Sequence, residues 1–265
     1  MPLVSGGALL LSTPMLMFFF HAFLFLLLTA VTQLGGIAWL LALCFKRRLP
    51  VFLGLYLLST IAAHMLAPHT GRVPVSCFAK ESLQVQSWFY CLSNRNYVSA
   101  DLAEVLQEAA SQVEAQYPGT QTLLLDANFP FLDGFPLLPH LSHKDGRKAD
   151  LAFYYQDQNG GYLPGHLPSP IGYFAFEDGP TECPDAWPTL RWDLAFLQPY
   201  WRDYSLEPER LKLVVQTLAG NERVEKIFLE PHLQQRLGLR DAKLRFQGCR
   251  AARHDDHLHL QIFPE

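Results

Sequence analysis

Arg253-His254-Asp255-Asp256-His257-Leu258-His259-Leu260-Gln261-Ile262-Phe263, RHDDHLHLQIF, puts three histidines within six residues near the end of a 265-residue chain. From His257 onward polar and apolar residues alternate, the period of a half-buried strand. Leu258, Leu260 and Ile262 then face a core. His257, His259 and Gln261 face the other way, with two imidazoles able to reach a common point. Imidazole is the commonest biological metal ligand. In a chain with 10 histidines, a His-x-His pair is weak evidence by itself.

A second cluster sharpens it: Pro139-His140-Leu141-Ser142-His143-Lys144-Asp145-Gly146-Arg147-Lys148-Ala149-Asp150. It holds two histidines, a turn-permitting glycine and an aspartate that opens an apolar strand, Asp150 to Tyr155. A reversal at Asp145-Gly146 would bring His143 and Asp150 together. One Asp and one or two His from here, with a His from the terminal strand, make three protein ligands. Three ligands with a fourth position open is the layout of a catalytic zinc site. The same segment also reads as a polar turn ahead of a strand. Geometry does not choose between His257 and His259 as the terminal ligand, since both point the same way.

The rest of the chain divides sharply. Met1 to Phe45 contains no Asp, Glu, Lys or Arg; Lys46-Arg47-Arg48 follows, then another uncharged stretch to Gly71. Every acidic residue lies beyond position 80. Two transmembrane helices are expected, about 18–45 and 51–67, within a membrane region 1–70. Gln33-Leu34-Gly35-Gly36 is read as a kink or a helix contact. A basic residue in a short loop is retained in the cytoplasm, so both termini and the domain 71–265 are expected on the extracytoplasmic side of a bacterial inner membrane. A cleaved signal peptide fits poorly, because the run is too long and a second one follows. His21 and His64, inside the apolar runs, read as interfacial or interhelical groups rather than a proton relay. The net charge of -4 argues against a nucleic-acid partner.

Cys77, Cys91, Cys183 and Cys249 all lie in the soluble part, and an even number suggests two disulfides with three possible pairings. Ser99 is expected to cap a helix carrying Leu102, Val105, Leu106, Ala109, Ala110 and Val113 at helical spacing. Leu123 to Leu125 is a short buried strand, Pro208 to Gly220 a helix, Val224 to Leu229 a strand and His232 to Leu237 a short helix. Residues 156–189 are irregular. The domain is thus expected to be α+β with a mainly antiparallel sheet.

His143-x6-Asp150 followed far downstream by His257-x-His259 resembles the signature of the LAS zinc peptidases, which include the D-Ala-D-Ala peptidases and the zinc domain of hedgehog proteins. The likeness is nearest to the penicillin-insensitive murein endopeptidases. Their first motif is similar to His140-Leu-Ser142-His143-Lys-Asp-Gly146-Arg-Lys-Ala-Asp150, and their last to His254-Asp255-Asp256-His257-Leu258-His259. The run Asn221 to Leu237 also resembles the segment before the terminal strand in that group. The resemblance covers roughly residues 98–263. It implies a hedgehog/D-Ala-D-Ala-peptidase-like fold, with Zn2+ held by His143, Asp150 and His259. It implies further that His257 is a catalytic residue beside the metal, and that His140 and His254 line the site and orient substrate or assist proton transfer, His254 counting with His257 as catalytic. Asp255 and Asp256 are then available to hold His254 or His257 in one tautomer. Arg147 reads chiefly as a turn residue. The stretch Gln156 to Pro199 has no counterpart in the family, and neither has the membrane anchor.

The function expected on this basis is hydrolysis of peptide bonds, D-Ala-containing cross-links of peptidoglycan, by a membrane-anchored zinc metallopeptidase. The alternative is a non-catalytic zinc-containing protein that recruits other envelope proteins. No Gly-x-Ser-x-Gly, His-Glu-x-x-His or Ser-x-x-Lys motif is present.

Overall fold

A computed structural model describes residues 13–78, 81–184 and 195–264. The chain divides into two compact units, one ending at Ile61 and the other beginning at Ala62.

In the first unit, α1 (Thr13–Thr32) and α2 (Gly35–Ala42) are separate helices, and α3 (Arg48–Leu66) continues into the second unit. The first apolar run is therefore not one helix over 18–45. Gln33 adopts a left-handed backbone at φ 64°, which breaks the run. After the break α2 packs against α1 so closely that a Cβ at Gly36 would lie 1.8 Å from Thr29 Oγ1. Glycine is required there by the approach. Among the described residues, two segments are long and apolar enough to cross a membrane, Thr13–Thr32 and Arg48–Thr70. The Nε2 of His21 lies 3.1 Å from Arg48 Nη1, and its ring packs on Trp39.

The second unit is α+β. It runs β1 (Arg72–Pro74), β2 (Leu83–Val85), α4 (Trp88–Leu92), β3 (Tyr97–Ser99), α5 (Ala100–Gln116), β4 (Thr122–Leu124), β5 (Lys148–Ala152) and β6 (Tyr155–Gln156). It continues with β7 (Ser205–Leu206), α6 (Pro208–Gly220), β8 (Val224–Phe228), α7 (Pro231–Arg236), β9 (Leu244–Arg245) and β10 (His257–Ile262). The six-stranded sheet has the order β2-β4-β5-β10-β8-β9. Its central pairs are antiparallel, but β2-β4 and β8-β9 are parallel. The sheet is thus mixed, with antiparallel pairs in the majority. The outer strands are reached through the helical connections α4–α5 and α7, which let a strand return in the same direction.

Ser99 caps α5, its hydroxyl accepting from the backbone N–H of Leu102 at 3.3 Å. Leu102, Val105, Leu106, Ala109, Ala110 and Val113 form the buried face, and α6 presents Leu211, Val214, Val215 and Leu218 to the same core. Leu258, Leu260 and Ile262 of β10 complete it. Cys77 pairs with Cys91 and Cys183 with Cys249.

Candidate metal centre

Register builds the site. Across the β10–β5 pair, His257 opposes Ala152 and His259 opposes Asp150. Directly opposed residues share a sheet face, so Asp150 joins the two histidines on the side away from the core leucines. That face is not open to water: Asp150 is fully buried, and His257 and His259 each expose 4%.

The loop before β5 adds the other imidazoles. Gly146 turns at φ 78°, and a Cβ there would stand 2.8 Å from Arg72 Nε. Its N–H donates to Asn128 Oδ1 at 3.1 Å and its carbonyl accepts from Ser99 at 2.7 Å. The reversal so fixed carries His143 back over Asp150. Arg147 and Lys148 both bind Asp145, so Arg147 serves the turn and not the site.

Three donor atoms converge. His143 Nε2 lies 3.1 Å from His259 Nδ1 and 3.3 Å from Asp150 Oδ1, and His259 Nδ1 lies 2.8 Å from the same oxygen. His143 Nδ1 donates to the Ala127 carbonyl at 2.7 Å, which turns Nε2 and its lone pair inward. His140 stands on the more open side. His140, His143 and Asp150 form a group that can hold a metal ion, with ligand atoms within 4.8 Å of one another. His140 Nδ1 is engaged by Asp126 Oδ2 at 2.8 Å and lies 3.3 Å from Asp150 Oδ2.

His257 Nδ1 lies 2.5 Å from Asp256 Oδ1, and its Nε2 faces Asp150 Oδ2 at 3.8 Å. Asp256 is therefore the carboxylate that orients His257. Asp255 turns away, its carboxylate bound by Arg253. The ring of His254 packs 5.0 Å from His257 and 5.6 Å from His259, and its buried Nδ1 has no hydrogen-bond partner among the described residues.

The electrostatics follow from burial opposed by pairing. Burial alone raises Asp150, but the imidazoles of His143, His257 and His140 outweigh it and hold the carboxyl well below its usual range. Burial disfavours a charged His143, and facing Asp150 reverses this and raises its pKa. Burial, with His143 and His257 nearby, lowers His259 to about 4 despite Asp150. Burial also lowers His257, but Asp256 and Asp150 outweigh it and push it up to about 9. His254 is driven well down, first by burial and then by His257 and His259.

Three participants escaped sequence reasoning. Asp126 follows β4, and Arg95 clamps it at 2.5 and 2.7 Å. Tyr173, from the stretch Gln156 to Pro199, donates to Asp150 Oδ2 at 2.7 Å. A carboxylate directly after a buried strand was a signal for Asp126; Arg95 and Tyr173 had none. Residues 185–194 of that stretch lie outside the described residues.

No protein-family model matches the chain, and no curated protein matches it.

Proposed function

We propose that this chain is a membrane-anchored zinc peptidase of the hedgehog/D-Ala-D-Ala-peptidase-like fold, acting on peptide cross-links of peptidoglycan. The observation that carries the reading is the convergence of His143 Nε2, Asp150 Oδ1 and His259 Nδ1 within 3.3 Å of one another, beside a histidine oriented by its own carboxylate. In a tetrahedral zinc site with bonds near 2.0–2.1 Å, ligand atoms stand roughly 3.3 Å apart. Two imidazoles and one carboxylate are a donor set that zinc accepts. His140, whose Nδ1 is held by Asp126, keeps Nε2 for a metal and is the competing third histidine.

Zinc held by His143, Asp150 and His259 would supply an acidified water and polarise the scissile carbonyl. His257 accepts the proton of the attacking water at Nε2 and returns it to the leaving amine, while Asp256 fixes the tautomer from Nδ1. A dication held nearby would oppose a second positive charge and so would lower His257 from the raised value that Asp256 and Asp150 give it. His254 and His140 line the approach for substrate.

Two apolar segments support an anchor. Lys46-Arg47-Arg48 supports a cytoplasmic side for the segment between the two spans. The two disulfides suit an oxidising, extracytoplasmic compartment for the second unit.

One observation favours a second reading, a non-catalytic zinc-containing recruiter of envelope proteins: His143, Asp150, His257 and His259 expose 4% or less. Digestion separates the two. Purified full-length protein should release cross-linked muropeptides from murein, with activity abolished by chelation and restored by zinc. Stoichiometric zinc without any cleavage would establish the recruiter instead.

A further inference from the structure

The two oxygens of Asp150 are divided between different partners. Oδ1 faces His143 Nε2 at 3.3 Å and His259 Nδ1 at 2.8 Å. Oδ2 faces away from that convergence, toward Tyr173 Oη at 2.7 Å and His140 Nδ1 at 3.3 Å. The Tyr173 hydroxyl also receives the backbone N–H of Asp126 at 3.1 Å. An amide N–H can only donate, so the oxygen of Tyr173 accepts there and its single hydrogen is directed to Asp150.

The backbone secures this arrangement. Gly172, at φ 81°, passes so close to the sheet that a Cβ would meet Leu125 Cδ2 at 2.5 Å. The next N–H but one, of Phe174, donates to Asp256 Oδ2 at 2.6 Å. The Tyr173 ring is held between His140 and His257, with ring centres 4.9 and 4.8 Å away. Two consecutive residues of the otherwise irregular segment thus grip the carboxylates of Asp150 and Asp256.

We infer that Tyr173 is a positioning residue for the metal centre: its hydroxyl captures Asp150 Oδ2 so that Oδ1 alone is presented to the cation. The inference rests on the zinc reading above. Without the hydroxyl, Asp150 is free to rotate or to offer both oxygens, and the three-donor geometry loosens. Loss of a hydrogen-bond partner behind a ligand typically costs 10–100-fold in metal affinity.

The test uses the full-length protein and Tyr173→Phe, which keeps the ring between the two histidines. Zinc affinity is measured by competition with a chromophoric chelator, and ligand geometry by the visible absorption of the cobalt-substituted site. Y173F should bind zinc about tenfold or more weakly, with a shifted cobalt spectrum, and its apo form should melt somewhat below the parent because the buried N–H of Asp126 loses its acceptor. Equal affinity and superimposable cobalt spectra in parent and variant overturn the inference while leaving the zinc reading intact. A parent protein that takes up no stoichiometric zinc overturns both. A Phe variant that does not fold also overturns the assignment as a positioning residue, because it makes the hydroxyl's bond to the Asp126 N–H a requirement of the fold.

Discussion

His259 and Asp150 are directly opposed across β10 and β5, and their side chains meet at 2.8 Å although the residues are 109 apart in the chain. The contact is a product of register. A slip of one residue would send His259 into the leucine core and Leu258 or Leu260 onto the carboxylate. The apolar alternation of β10 is therefore what aims the imidazoles, and the stability of the core guarantees the geometry of the site.

The ligand set is tested by metal analysis of purified variants. His143→Ala and His259→Ala should each lose stoichiometric zinc, whereas His140→Ala should retain it. Zinc lost from the His140 variant and kept in the His259 variant would assign the triad His140, His143 and Asp150 instead.

The proton-transfer role of His257 predicts a dissociation of binding from turnover. His257→Ala should keep its zinc and lower murein cleavage by about 10²–10⁴-fold. Asp256→Asn should follow in the same direction with a smaller loss, since the imidazole remains but its tautomer is no longer fixed. Cleavage by His257→Ala at the parental rate sinks the assignment.

Arg95 and Asp126 form a buried pair, with side chains 5% and 3% exposed. Arg95→Met leaves the carboxylate buried and short of its partner, and should cost about 3–5 kcal/mol, read as a drop in the denaturation midpoint. The sign of the pH dependence follows. Burial raises Asp126, but Arg95 and His140 outweigh it and depress its folded pKa. Its stabilisation is then fully present above the unfolded value, about 3.9, and is lost as pH falls through the folded one. The parent should lose its advantage over Asp126→Asn on acidification.

The Cys183–Cys249 bridge closes a separation of 66 residues and Cys77–Cys91 one of 14. Replacing both members of the longer pair by serine should cost about 2–5 kcal/mol, and the shorter pair less, because the larger loop restricts the unfolded chain more. Thermal melts of the two double variants give the order.

Much of the local structure was legible because local patterns determine it. The Ser99 cap, the buried stripe of α5, the helix from Pro208 to Gly220 and the alternating faces of β10 all follow from spacing within a few residues. The first apolar run was legible as apolar but not as two helices. Composition does not report that Gln33 takes a left-handed backbone, and the close contact of Gly36 with α1 exists only once the chain has turned. The parallel outer strand pairs were likewise illegible, since direction depends on how long connections return.

The sequence by itself determined the periodicities, the charge division between an apolar quarter and a polar remainder, and the residue types gathered in two histidine-rich segments. It placed His257 and His259 on one face. Tertiary structure alone decided which carboxylate each histidine meets. Asp150 reaches His259 through strand register, Asp256 rather than Asp255 turns to His257, and Tyr173 arrives on Asp150 from a segment without periodicity. The physical reason is range. Alternation is enforced by the backbone of each strand, whereas the partners of a buried charge are fixed only when distant elements close over it and water is no longer available to solvate it.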